Sequence, residues 1–387
     1  MPDISKYWCR EHFYDLPSIP TVDALAQAVS PTTAAVFAEY QRHSLNRWSM
    51  TDEVYLNQHP DKHASITFAQ QLYGYRNYHE LVCHVWVLFP HLEFKFSTKE
   101  ESLTDWEQCC AARMMLKTGK NQQEMEKVVG KSSRFSHYMK TWTRRWLEAE
   151  ACLLCRHITE DLLEQHQING FSTRYCKKIA CLCDGTTVDL GTPRKNSILQ
   201  RSTFSNKAGR NAAQGLGWVS PAGLLLLYSS LFNGRLSEKD TVWLHRELLR
   251  VFPRGWGQLV DRGFSSCTAA YENLLQCFFP AFAKDLCRST ILDAKLQSSD
   301  RYVVETFFSR VKEFLLLSTT VPVERAWQLE SAWVCALSAT DLYAPLRPPV
   351  SWEATQQAMR DAKSPLVEAL RVEAAGRPLP WMFREFA

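Results

Sequence analysis

Three carboxylates in this 387-residue chain stand where chemistry could use them: Asp184 closes the apolar run "IACLC", Asp261 closes "GQLV", and Glu305 lies within "RYVVETFFSRVKEF". Hard carboxylate oxygens are what Mg2+ prefers, and a site of two or three of them leaves coordination positions for water and a substrate phosphate. A pair of such ions activates an attacking oxygen and stabilises the leaving one, so phosphodiester cleavage needs no dedicated His base. In such an arrangement Asp184 would serve both ions, and Asp261 and Glu305 would each complete one. Every member also has an ordinary explanation. Asp184-Gly185 between two short apolar segments is a strong tight-hairpin signal. Asp261 is a common kind of turn residue after a strand, and Glu305 is spaced to pair with Arg301 one helical turn away. Joint placement lifts the three above those explanations: strand end, strand end and helix interior, in that order.

The elements that must position these acids are legible around them. From Ile168 to about Ser318, short apolar runs bounded by Gly, Pro, Ser and Asn predict strands over "KKIACLCDGTTVDL", "GLGWVSPAGLLLLYSS" and "GQLVDRGF". The second run folds back as a hairpin at Pro221-Ala222-Gly223. "DTVWLHRELLRVF" and "RYVVETFFSRVKEFLLL" read as helices, so a mixed sheet covered by helices is expected. In the second of these helices Val304, Phe307, Phe308, Val311 and Leu315 fall on one apolar face. Arg301, Glu305, Ser309 and Lys312 form a separate polar stripe, which keeps Glu305 out of the core and free to look along the sheet edge.

Upstream, three helical segments are expected at about Leu103 to Lys117, Gln122 to Val129, and from Ser132 or Ser133 through "RFSHYMKTWTRRWLEAEACLLCRHI". Two short helices with a Gly-containing turn before a longer one is the helix-turn-helix pattern. Between Cys110 and Leu147 nine Lys or Arg face two acids, so this segment is the basic patch of a chain whose net charge is only +4. Its third helix offers Lys131, Arg134, Lys140, Arg144 and Arg145 to phosphates or base edges, with Phe135, Tyr138 and Trp142 interleaved. A bundle helix with a solvated basic face is the competing reading.

"CDGTTVDL", the hairpin "GLGWVSPAGLLLLYSSLFNGRLSEKD", "LVDRGF" and "SDRYVVETFFSRVKEF", in that order, resemble the DDE transposase superfamily, in particular its PIF/Harbinger and IS5-like members. The resemblance covers roughly Thr104 to Arg347. It implies an RNase H-like DDE endonuclease domain whose catalytic and metal-binding triad is Asp184, Asp261 and Glu305, served by two Mg2+ or Mn2+ ions. Arg301 matches the family's basic residue before the Glu and is expected to orient a carboxylate or a phosphate. The implied activity is cleavage at transposon ends and joining of the exposed 3′-hydroxyl to target DNA, in some relatives with a Myb-like DNA-binding partner protein; self-association is a further expectation. Where the family usually shows Ser-Asp, this chain has Ser237-Glu238, and "CALSATDL" lacks the Asn often found in the C-terminal helix.

The fold class expected is therefore mixed α/β. It comprises an N-terminal region of unassigned role over 1–100, a helix-turn-helix-like DNA-binding region over 101–160, an endonuclease domain with a five-stranded mixed sheet over 168–347, and a helical tail over 348–387. A hydrophobic fraction of 45% argues against disorder. The first residues lack the zones of a secretory signal, and no run of about 18 apolar residues appears. An intracellular protein is expected, nuclear in a eukaryotic host and cytoplasmic otherwise. Thirteen cysteines, an odd number, then read as reduced thiols. Cys152, Cys155, Cys181 and Cys183 read as small buried hydrophobes in a helix and a strand rather than zinc ligands. Two other functions fit: a host-adopted derivative that binds DNA or a protein without transposing, and a nuclease acting on RNA or a hybrid. Three mutually repelling carboxylates have no purpose in a pure binder, and an RNA substrate leaves the basic helical region with less to do.

Overall fold

The computed structural model describes residues 105–129, 134–155, 157–168, 171, 175–194, 196–264, 275–280, 288–342 and 346, together with residues 72–75, 81, 84, 85, 88 and 92. Expectations for the rest of 1–100, for the tail over 348–387 and for the turn at 130–133, Lys131 included, lie outside the described residues.

The sheet is built around β1 (Ile179–Asp189), whose first five residues are all buried. A strand covered on both faces reads as a continuous apolar run rather than an alternating one, which is why "IACLC" carries no polar residue. On one side β1 pairs antiparallel with β3 (Arg210–Val219), and on the other it pairs parallel with β6 (Trp256–Leu259), which itself pairs parallel with β7 (Leu275–Phe278). Three shorter strands, β2 (Phe204–Ser205), β4 (Leu225–Tyr228) and β5 (Phe232–Asn233), all add to β3. The mixed sheet therefore has seven strands rather than the expected five: the path β2-β3-β1-β6-β7, with β4 and β5 also paired to β3. The β3–β4 hairpin closes at the expected Pro-x-Gly turn, where Gly223 sits at φ +100° and Ser220 N–H donates to the Leu224 carbonyl at 2.7 Å.

One correction concerns Asp184-Gly185. The pair makes no hairpin: β1 runs straight through it, with Asp184 opposite Gly217 and Gly185 opposite Leu216. Gly185 is there for space. A Cβ on it would sit 3.0 Å from Leu216 Cδ2 and 3.3 Å from Glu238 Oε1.

Helices cover both faces. Ile179 and Leu182 belong to a core shared with α1 (Asp105–Thr118), α3 (Phe135–Leu154), α7 (Arg288–Val311) and α9 (Leu329–Leu342). Ala180, Cys181 and Cys183 pack with the opposite layer, which includes Leu162 and Leu163 of α4 (Glu160–Gln165) and Val242 of α6 (Glu238–Leu244). A register irregularity between Ile179 and Cys181 in the β1–β6 pairing accounts for two successive residues on one side. The shift has a consequence for Asp184: it lies in phase with Leu182, on the face that α7 covers. In α7, Val304, Phe307, Phe308 and Val311 are buried as expected, but Leu315 is 49% exposed because the helix ends at Val311 and Leu315 opens a separate turn, α8 (Leu315–Ser318).

The expected helix "DTVWLHRELLRVF" is likewise split. A Ser237/Asp240 capping box starts α6, which ends at Leu244, and a 3-10 turn follows over Leu248–Val251.

Candidate active site

Asp184 and Asp261 meet because their strands are parallel neighbours. Leu182 is in register with Leu259, so the residues two positions further on stand side by side, roughly one strand spacing of about 4.8 Å apart. Asp184 anchors its own Oδ1 on the Gly185 N–H at 2.8 Å, and Asp261 does the same with the Arg262 N–H at 2.8 Å. Both carboxylates also face one guanidinium: Arg301 Nη2 lies 3.1 Å from Asp184 Oδ2, the oxygen Gly185 leaves free, and its Nη1 lies 3.4 Å from Asp261 Oδ1, the oxygen that also accepts from Arg262. Arg301 is therefore not part of a solvent-facing stripe on α7. It is buried, and it bridges the two acids that the sequence singles out, Asp184 inside β1 rather than at its end and Asp261 just beyond β6.

Electrostatics in the site are unbalanced. Burial raises the Asp184 pKa, and the opposing pull of Arg301 and of the Gly185 N–H does not cancel it, since Glu238 and Asp261 add negative field. Glu238 is the acid that reading the sequence missed. It enters from α6, on the other side of the sheet from Arg301, and its carboxylate lies against Gly185 and Gly263, where a Cβ would be 3.3 Å and 3.0 Å from its oxygens. Lys207, on the β2–β3 turn, holds Glu238 Oε1 at 2.7 Å. Burial opposes the charge on Lys207, but the hydrogen bond to Glu238 and the fields of Glu238, Asp184 and Asp261 outweigh it and raise its pKa. Two cations thus face three acids. The one available signal was the position after Ser237, where the resembled family usually has Asp.

Glu305 lies on α7 one turn beyond Arg301 and is exposed. Among the described residues, no three His, Cys, Asp or Glu side chains converge closely enough to hold a metal ion as they stand. Cys181 and Cys183 are buried in β1, and Cys152 and Cys155 are half-buried at the end of α3.

In the helical region Arg134, Lys140 and Arg144 are exposed and Arg145 is half-buried, its guanidinium 4.6 Å from the centre of the Trp142 ring. Arg144 pairs with Glu148 at 2.8 Å on the same surface, and Lys140 lies 5.9 Å from the Trp327 ring. Phe135, Tyr138 and Trp142, interleaved with these basic residues in the sequence, are core residues, and Trp142 Nε1 donates to Gln108 Oε1 at 2.9 Å. The basic patch itself is smaller than its count of nine. Arg113 and Lys117 are buried too. Arg113 pairs with Glu150 at 2.8 Å and donates to the Tyr73 and Cys335 carbonyls, tying α1, α3 and α9 together. Lys117 donates to the Glu313 carbonyl at 2.8 Å, and burial lowers its pKa to about 8.

Residues 183–338, which hold Asp184, Glu238, Asp261 and Glu305, match the family described as DDE superfamily endonuclease. This segment is similar to a DDE superfamily endonuclease domain. No curated protein and no solved structure matches the chain. The match to the endonuclease domain begins at Cys183, one residue before Asp184, and ends within α9, so it takes in Asp261, Arg301 and Glu305 as well. Among the described residues no helix is long and apolar enough to cross a membrane.

Proposed function

We propose that the chain is a transposase-type DNA endonuclease that cuts and joins phosphodiester bonds, with Asp184, Asp261 and Glu305 holding divalent ions. The convergence of Asp184 and Asp261 on one guanidinium, inside a segment similar to a DDE superfamily endonuclease domain, carries this reading. The donor set fits Mg2+ or Mn2+: all three side chains offer hard oxygens, two of them already share a cationic partner, and Asp184 remains short of positive charge. When bound, such ions supply Lewis acidity at the scissile phosphate and a more acidic attacking water.

The chain's own residues then do the positioning. Asp184 and Asp261 are fixed by neighbouring strands and by their own backbone N–H groups. Arg301, buried against both, orients them and offers a planar donor fork to a phosphate oxygen. Glu305 shares a helix with Arg301 and faces solvent, so it can turn toward these two acids without repacking the core. The exposed basic residues Arg134, Lys140 and Arg144, with Arg145 and Lys131, are the proposed DNA-contacting set, read as a helix-turn-helix unit. The mixed order β2-β3-β1-β6-β7 supports the RNase H-like reading of the domain. Purified full-length protein incubated with supercoiled plasmid should nick it in Mg2+ or Mn2+ and stop on chelation. Intact plasmid under both metals would refute the proposal.

A further inference from the structure

At the β2–β3 side the sheet carries a cleft of about 540 Å3 lined by Ser197, Gln200, Arg201, Phe204, Asn206 and Arg235. It lies between α5 (Ser197–Thr203), β2 and the turn after β5. The wall is fixed. Asn211 Nδ2 donates to the Gln200 carbonyl at 2.8 Å and to Thr203 Oγ1 at 2.7 Å, and the Arg235 N–H donates to the Ser202 carbonyl at 3.3 Å. The 203 and 234 backbones touch, since a Cβ on Gly234 would be 2.8 Å from the Thr203 carbonyl.

What this rigid frame presents is unused by the fold. Arg201 and Arg235 are exposed, and their guanidinium groups make no ion pair or hydrogen bond among the described residues. Phe204 is 41% exposed although it opens a strand. Gln200 and Asn206 each bring an amide with both donor and acceptor. Two free guanidinium groups, a bare aromatic face and two amides suit a ligand that is both anionic and flat. One lining residue is a chain neighbour of the acidic centre. Asn206 precedes Lys207, whose ammonium is 2.7 Å from Glu238 beside Gly185 and Gly263.

We infer that this cleft binds an unpaired nucleotide of a single DNA strand, stacking its base on Phe204 and holding its phosphates with Arg201 and Arg235, on the β2–β3 side of the endonuclease domain. In a duplex the base faces are already stacked on one another, whereas an unstacked base can lie on an aromatic ring. The inference rests on the endonuclease reading and says which form of the substrate occupies the site.

Fluorescence anisotropy with labelled single-stranded dT20 in EDTA, at several salt concentrations, tests it without cleavage. Because single strands give a salt slope of about 0.7 per phosphate contact, R201Q/R235Q should flatten the slope by about 1.4. Phe204→Ala should weaken binding about tenfold, in line with the loss of one stacked base, and Phe204→Trp should retain it. A duplex of the same length should respond much less to the Phe204 variants. An unchanged slope in the double variant, or equal losses in Phe204→Ala and Phe204→Trp, overturns the inference. Plasmid nicking scored in parallel separates the two readings: nicking with unchanged single-strand binding removes the cleft alone, and no nicking by the unaltered protein removes the endonuclease reading.

Discussion

Replacing Arg301 by Met keeps the apolar stem and removes the guanidinium, so it isolates the electrostatic contact on which the site is built. The guanidinium side chain is 8% exposed, Asp184's is 20% exposed and Asp261's 49%. At an effective dielectric near 20, opposite charges about 4 Å apart attract by about 4 kcal/mol, and desolvation of both groups offsets much of this. Deleting one partner of a buried pair nevertheless costs about 3–5 kcal/mol, because the other charge is left uncompensated. The half-exposed Asp261 adds no more than about 1 kcal/mol. Asp184 can relieve the variant by taking up a proton, its pKa being raised already, so the lower end, about 3 kcal/mol at pH 7, is expected. Urea unfolding followed by tryptophan fluorescence should show that loss in Arg301→Met, a smaller one in Asp184→Asn, and a double variant about 2 kcal/mol more stable than the sum predicts, as coupled partners in contact require. Additivity within about 0.5 kcal/mol would mean that Arg301 and Asp184 do not share the contact, and the geometry of the site would be wrong.

Glu305 is exposed, so Glu305→Gln should change stability by less than about 0.5 kcal/mol while lowering metal-dependent nicking at least about 100-fold, as loss of charge stabilisation at a reacting centre does. Retained nicking in Glu305→Gln together with its loss in Glu238→Gln would move the third ligand to Glu238. Charge reversal at Arg144 and Arg145 should weaken duplex binding and flatten its salt dependence by about 1.8 if each neutralises one phosphate; an unchanged slope in a salt titration moves duplex recognition elsewhere. Burial pushes Glu330, which accepts from the Leu231 N–H at 2.9 Å, from 4.5 to about 7. A carboxyl raised by folding is stabilising in its neutral form, so its contribution is full below pH 4.5 and lost as pH rises through about 7. Relative to Glu330→Gln, the unaltered protein should lose up to about 3 kcal/mol across that range, and a flat difference in pH-dependent urea unfolding would contradict it.

The strands and helices that hold the acids were legible because apolar periodicity is local: "IACLC", "GQLV", the Pro-x-Gly hairpin and the face running from Val304 to Val311 all carry their own signal. The Asp184-Gly185 pair misled because turn propensity is local too, while the ladder that overrides it is supplied by Gly217 and Leu216, more than thirty positions away. Arg113 misled for the opposite reason. A charge counts as surface in any composition argument, and only Glu150 and two distant carbonyls make its burial possible. Glu238 was out of reach because its place in the site depends on two glycines, Gly185 and Gly263, whose meeting is a property of the sheet.

The central claim is that the carboxylates of Asp184, within β1, and Asp261, just beyond β6, cut DNA. It is tested most directly by Mn2+-dependent plasmid nicking with Asp184→Asn and Asp261→Asn, each shown by circular dichroism to be folded and by anisotropy to bind DNA. Both variants should bind DNA as the unaltered protein does and leave the plasmid intact. Undiminished nicking by folded Asp184→Asn would contradict the account.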